Sequence, residues 1–137
     1  RTSSVSITLV KEQASEVMAA SDLVLVASGT ATLQAAVVGT PMVLFYRTSA
    51  WEFWIASFFL RVKWIGLVNL VADRSIVPEL LQDEATGQRL SEEALRILED
   101  PTAYAEMRRN LAQVRDALGA PGASTRAAER VLAVCRA

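Results

Sequence analysis

One apolar run, cut by a small polar turn, constrains this chain more than any other feature. Leu23-Val24-Leu25-Val26 places four aliphatic residues in succession, and Ala27-Ser28-Gly29-Thr30 ends the run abruptly. A strand of this kind has no polar face to give to water. It must be covered on both sides, as in a parallel sheet. Ala31 to Val38 then reads as a helix of small residues. Gly39-Thr40-Pro41 closes it, with glycine at the cap and proline just beyond. Met42-Val43-Leu44-Phe45-Tyr46 is a further buried strand. Upstream, Val5 to Val10 alternates apolar and polar residues and predicts a short strand, and Lys11 to Ala20 predicts a helix. The first 46 residues thus read β-α-β-α-β, which predicts an α/β fold with a Rossmann-like parallel sheet and helices on both faces.

The second half is more varied. Trp51 to Val62 reads as a helix that is apolar almost all round, and Trp64 to Val71 as a strand and a loop. Val77 to Gln82 predicts a short helix with Pro78 in its first turn. Ser91 opens a helix running to about Leu98, and Asp100 caps another that ends near Leu118. After a turn at Gly119 to Gly122, Ala123 to Cys135 forms a last helix. These spans predict a core over residues 1–85, with its aromatic helix at 51–62, and a helical tail over 86–137 that buttresses the sheet.

Composition narrows the chemistry. The 137 residues suit one domain, and 52% hydrophobic against 21% charged residues excludes a disordered tail. Fourteen basic and fifteen acidic residues leave a net charge of −1, which argues against a nucleic-acid partner. The absence of histidine excludes a Ser-His-Asp triad, a Cys-His pair and any histidine-ligated metal within the chain. A single cysteine, Cys135, excludes an internal disulfide and a cysteine-rich zinc site; it reads as a small packing residue. No metal and no cofactor are expected. The start at Arg1 rather than methionine suggests a fragment, and no signal peptide is visible at that end.

Ligands of parallel sheets bind at the carboxyl ends of the strands, where Ser28, Gly29 and Thr30 stand. Gly29 allows close approach to the backbone, the two hydroxyls can donate, and the helix start adds free N–H groups. The turn reads either as a diphosphate cradle or as an ordinary strand-to-helix turn with a hydroxyl cap. Gln34, four residues after Thr30, shares the exposed side of the first helical turns. Its amide either bonds ribose hydroxyls or is a plain surface group.

Eight of the nine aromatic residues fall between Phe45 and Trp64. On a helix, Trp51, Trp54 and Phe58 share one face, with Phe53 on the other. Such a helix would be about 18 Å long, too short to cross a hydrocarbon core of roughly 30 Å. Arg47, Arg61 and Lys63 flank it, which suits a membrane interface; a core helix covered by another domain is the alternative. Asn69 interrupts the apolar run Gly66 to Val71 and must find hydrogen-bond partners or a ligand. Its spacing alone favours a turn-forming role. Asp73, Arg74 and Glu79 read as surface charges.

Three blocks in order carry a resemblance: ASDLVLVASGTATLQAAVVGTPMVLFYR, the Trp/Phe-rich helix, and GLVNLVADRSIVPELLQ. Together they resemble lipid-A-disaccharide synthase, over the stretch from Ala20 to Gln82. The resemblance implies the C-terminal, UDP-binding half of a two-domain glycosyltransferase of the B-type fold, without the N-terminal domain that holds the acidic catalytic residue. The implied reaction moves a diacylglucosamine unit from its UDP donor to diacylglucosamine 1-phosphate. The implied setting is cytoplasmic, peripheral on the inner membrane of a Gram-negative-type bacterium, with a homodimer also allowed. Carried over residue by residue, Ser28, Gly29 and Thr30 match the family's donor turn, and Tyr46-Arg47 its tyrosine-arginine. Gln34 stands where the family often has a ribose-binding glutamate. Asn69 matches the donor-side asparagine, with Val68 in place of the preceding proline. On the membrane-interface reading of the aromatic segment, Trp51, Trp54, Phe58, Arg61 and Lys63 are the expected lipid contacts. Two other readings compete: the donor domain of another sugar-nucleotide transferase, such as the peptidoglycan N-acetylglucosaminyltransferase, and a non-catalytic α/β module that docks on membrane or a partner. A saturable response to UDP separates the last from the others.

Overall fold

The computed structural model describes residues 5–48, 63–120 and 122–135. The predicted aromatic helix, with Trp51, Trp54, Phe58 and Arg61, lies outside the described residues. Helix α1 (Ala14–Ala20) leads into strand β1 (Val24–Ala27), helix α2 (Ala31–Val38) and strand β2 (Met42–Tyr46). Helix α3 (Leu67–Ala72), strand β3 (Glu79–Leu81) and a 3-10 turn (Gln82–Glu84) follow. Helices α4 (Gly87–Glu99), α5 (Pro101–Leu118) and α6 (Ala123–Cys135) complete the order.

The three strands form one parallel sheet in the order β1-β2-β3. Val24 pairs with Met42 and Ala27 with Phe45, while Leu44 pairs with Glu79 and Tyr46 with Leu81. Parallel neighbours need a crossover, which α2 supplies between β1 and β2. The fold class read from the sequence is therefore the one observed: a parallel α/β sheet with flanking helices and a helical C-terminal tail.

Local chemistry explains the elements that match. Gly39 adopts a left-handed φ of 80° at the end of α2, and its N–H donates to Ala35 O and Ala36 O at 2.9 and 3.1 Å. Few residues other than glycine take that geometry without cost. Asp100 caps α5: its Oδ1 accepts from Thr102 N–H at 2.9 Å and Ala103 N–H at 3.1 Å, with Pro101 in the first turn. A cap of this type is worth about 1 kcal/mol.

The core joins sheet and tail. Val26, Met42, Val43 and Leu80 from the strands pack in one cluster with Ala35, Ala36, Val68, Ile97, Leu111 and Val114. Helix α5 packs against α2 and α3, and α4 packs against β2. Three longer-range bonds fix these helices: Tyr104 Oη donates to Asp22 O at 3.0 Å, and Arg74 donates to Asn110 Oδ1 and Gln113 Oε1, each at 2.8 Å.

Five expectations are corrected. Val5 to Val10 is not a strand; Val5, Ile7 and Leu9 are exposed, since alternation builds no strand without a hydrogen-bonding neighbour. The stretch expected as strand and loop is helix α3, entered from Gly66. The stretch expected as a helix at Val77 to Gln82 contains β3, because Pro78 C=O accepts from Leu44 N–H at 3.0 Å and so starts the parallel ladder. Proline tolerates that first position, where its missing N–H is not required. Finally, α6 has no buried residue and Cys135 is exposed, so this helix does not buttress the sheet and the thiol is not a packing group.

Candidate functional site

The carboxyl ends of the three strands lie side by side. At this edge β1 passes through Ser28-Gly29-Thr30 into α2. The Ser28 N–H still belongs to the sheet and donates to Phe45 O at 3.1 Å. Gly29 has a φ of +148°, a conformation that L side chains rarely adopt, and a Cβ there would meet nothing within 4 Å. Among the described residues, nothing closes the turn on that side. Thr32 secures it from below: its hydroxyl donates to Gly29 O at 2.8 Å and its N–H to the same oxygen at 3.2 Å.

Helix α2 begins with uncommitted donors. Leu33 and Gln34 N–H both donate to Thr30 O at 3.1 Å. Among the described residues, none accepts from the N–H groups of Gly29, Thr30 or Ala31. Thr30 stands at the cap position, yet its exposed hydroxyl makes no capping bond. Free N–H groups at a helix start, beside an uncommitted hydroxyl, are a donor set suited to an anion. Gln34 is exposed one helical turn further along α2. Tyr46 and Arg47 leave β2 at the same sheet edge, both exposed. Thr48 N–H donates to Gln82 Oε1 at 3.0 Å, which ties the exit of β2 to the end of β3.

Asn69 is placed differently. It is fully buried in α3. Its Oδ1 accepts from Ile76 N–H at 2.9 Å and Val77 N–H at 3.1 Å. Its Nδ2 donates to Val77 O at 2.9 Å and to Glu79 Oε1 at 2.7 Å. An amide side chain offers two donors and two acceptor lone pairs, and all are used. In this arrangement Asn69 shapes the loop before β3, the turn-forming role, and has nothing left to offer a ligand directly.

Glu79 is the residue that sequence reasoning misplaced. Read as a surface charge, it is half-buried and accepts from Ile65 N–H and Gly66 N–H, both at 3.0 Å, as well as from Asn69. The signal was available: an acid between Pro78 and Leu80-Leu81 is as anomalous as an asparagine in an apolar run. Ser28 reaches the same loop, its hydroxyl donating to Ile65 O at 3.3 Å.

Lys63, an expected lipid contact, is exposed, with its ammonium 5.1 Å from the centroid of the Trp64 ring. The Trp64 Nε1 is buried and meets no acceptor among the described residues. A cleft between α3 and α5 is lined by Val71, Arg74, Asn110, Gln113 and Ala117; none of the predicted site residues borders it. Among the described residues, no group of three or more acidic, histidine or cysteine side chains is arranged to hold a metal. No helix among them is long and apolar enough to cross a membrane.

Residues 1–134 match the family described as lipid-A-disaccharide synthetase. The lipid-A-disaccharide synthase of Myxococcus xanthus is 46% identical over 124 residues, covering 90% of this chain and 32% of that protein. The synthase of Solibacter usitatus is 41% identical over 130 residues, covering 92% of this chain and 34% of that protein. That of Syntrophus aciditrophicus is 39% identical over 128 residues, covering 93% and 33% respectively. The chain thus spans about a third of the length of these curated relatives. A match over nearly the whole chain, spanning the three blocks that carry the resemblance, places it in the lipid-A-disaccharide synthase family.

Proposed function

We propose that this chain is the nucleotide-sugar-binding part of a glycosyltransferase that moves a diacylglucosamine unit from UDP to diacylglucosamine 1-phosphate. One observation carries the reading. In a chain of this family, the turn at the carboxyl end of β1 presents three consecutive N–H groups with no partner among the described residues, beneath open space. A diphosphate needs several donors converging on it without a side chain in the way, and this turn supports that need. The Thr30 hydroxyl adds a further donor. Gln34, one turn along the helix, is placed to bond the ribose, with Tyr46 and Arg47 bordering the donor from β2. Asn69 contributes by shaping the loop behind the site. The acidic catalytic residue belongs to a part of the synthase outside this chain, so the chain alone should release no UDP from a donor in the presence of acceptor.

The experiment is a calorimetric titration of the 137-residue chain with UDP, with AMP as control. Saturable binding to UDP and none to AMP supports the reading. Equal responses, or no response to either, would sink it.

The acceptor and the donor's acyl chains imply a membrane surface, and the aromatic segment supports that setting. The exposed Lys63 beside Trp64 is a cationic and aromatic pair of the kind that suits lipid head groups. Replacing Trp51, Trp54 and Phe58 with serine should reduce sedimentation with anionic vesicles. Unchanged sedimentation by a folded variant would favour a segment covered by protein instead.

A further inference from the structure

Glu79 opens β3, and its carboxylate gathers three donors from two other elements. Oε2 accepts from Ile65 N–H at 3.0 Å. Oε1 accepts from Gly66 N–H at 3.0 Å and from Asn69 Nδ2 at 2.7 Å. Among the described residues no lysine or arginine pairs with it. Its charge is met by backbone and amide donors, which fix direction more tightly than a flexible surface cation does.

Two further observations show that this contact is built in. A Cβ on Gly66 would collide with the Leu44 side chain and come within 2.9 Å of Glu79 Oε1. Glycine is therefore what lets the carboxylate settle onto the backbone at 65–66. The peptide groups of Ile65 are also held from both sides. Its N–H donates to Glu79, and its C=O accepts the hydroxyl of Ser28. One residue thus links the carboxylate to the turn at the end of β1.

We propose that Glu79 is a positioning residue for the nucleotide site, holding the Ile65–Gly66 loop so that Ser28 and its turn keep the orientation a diphosphate requires. The proposal rests on the reading of that turn as a nucleotide site. Glu79 touches no ligand and acts through Ile65. A glutamine at this position keeps the shape but has one acceptor oxygen, and its NH2 faces a backbone N–H. It cannot serve all three donors, so the loop loosens and Ser28 loses its fixed partner.

The test uses the 137-residue chain, its Glu79→Gln variant, Ser28→Ala and the double variant. Two quantities are read: UDP affinity on the folded fraction, by calorimetry, and amide hydrogen exchange with and without UDP. Glu79→Gln should bind UDP about tenfold more weakly, which is about 1.4 kcal/mol, while the amides of β2 stay protected. The loss should shrink in the Ser28→Ala background, because both changes cut the same link. In the parent chain, UDP should slow exchange at the Ile65 and Gly66 amides, and this arm decides the matter if Glu79→Gln fails to fold. A folded Glu79→Gln that binds UDP like the parent overturns the role of Glu79 and leaves the nucleotide site standing. Unchanged exchange at Ile65 and Gly66 in a UDP-bound parent has the same consequence. A parent chain with no saturable UDP binding overturns both the site and the role of Glu79.

Discussion

Two polar features meet at the same region of the molecule with opposite hydrogen-bond balances. At the turn before α2, among the described residues, the N–H groups of Gly29, Thr30 and Ala31 have no acceptor and nothing fills the space above Gly29. At Asn69, every donor and acceptor of the side chain is engaged and the residue is fully buried. The first has capacity to bind; the second has spent its capacity on shape. A polar residue in an apolar context must be satisfied, but that requirement does not say whether protein or ligand satisfies it. Only the hydrogen-bond account of each group separates a docking surface from the frame behind it.

The comparison breaks most visibly at Asn69. Asn69→Ala leaves the Ile76 and Val77 N–H groups without their acceptor and takes one donor each from the Val77 C=O and Glu79 Oε1. Buried unsatisfied groups cost about 1–3 kcal/mol each, so with two of them urea unfolding should show a loss of at least about 2 kcal/mol. A loss below about 1 kcal/mol would place Asn69 among the ligand contacts rather than the frame.

Gly29→Ala comes next. The new Cβ meets no neighbour, so the cost comes from the backbone: φ of +148° is strained for any residue with a side chain. Thermal unfolding should report about 1–2 kcal/mol of destabilisation. UDP binding on the folded fraction should also weaken, since the methyl group enters the space above the turn. A variant as stable as the parent that binds UDP equally well would remove Gly29 from the site.

How much of this was legible depended on the range of the interactions. Helix α2 with its Gly39 cap, strand β2 and the Asp100 cap of α5 were readable because each signal lies within a few residues of its effect. The class of the sheet followed from aliphatic runs that must be covered on both faces. Strand β3 was not readable. Glu79-Leu80-Leu81 is three residues long, and its pairing with β2 joins positions 35 apart in sequence, as Leu44 with Glu79. Val5 to Val10 shows the converse, since a correct local pattern forms no strand without a partner. The turn at Ser28, Gly29 and Thr30, where the site is proposed, was legible as a turn because a strand end and a helix start are both local features. The role of Glu79 was missed because all three of its donors lie 10 to 14 residues earlier in the chain.

A smaller effect sharpens the binding side. Gln34 is exposed, and its side chain holds nothing together among the described residues. Gln34→Ala should leave stability within about 0.5 kcal/mol of the parent. It should weaken UDP binding by about 1 kcal/mol, the worth of one neutral hydrogen bond. Gln34→Glu should retain or improve affinity, because a carboxylate can accept from both ribose hydroxyls. A titration in which all three chains bind alike would move the ribose away from α2.

The smallest effect lies far from the site and serves as a control. On α4, hydrogen bonds from Gln88 at 2.9 Å and Arg89 at 3.2 Å hold the Glu92 carboxyl below its ordinary value. A carboxyl depressed in the folded state stabilises fully above its unfolded value, and loses that contribution as pH falls through the folded one. Glu92→Gln should therefore melt slightly below the parent at about pH 7, and the gap should close at about pH 2. UDP affinity at neutral pH should not change. A gap that widens in acid would contradict the assignment.

The central claim is that the turn before α2 binds the nucleotide while the network around Asn69 only frames it. The direct measurement is a backbone and side-chain amide NMR titration of the chain with UDP. The prediction is saturable shifts that are largest at Gly29, Thr30 and Ala31, smaller at Ile65 and Gly66, and least at the Asn69 side-chain NH2. Shifts that are largest at the Asn69 NH2, or that never saturate at the turn, would contradict it.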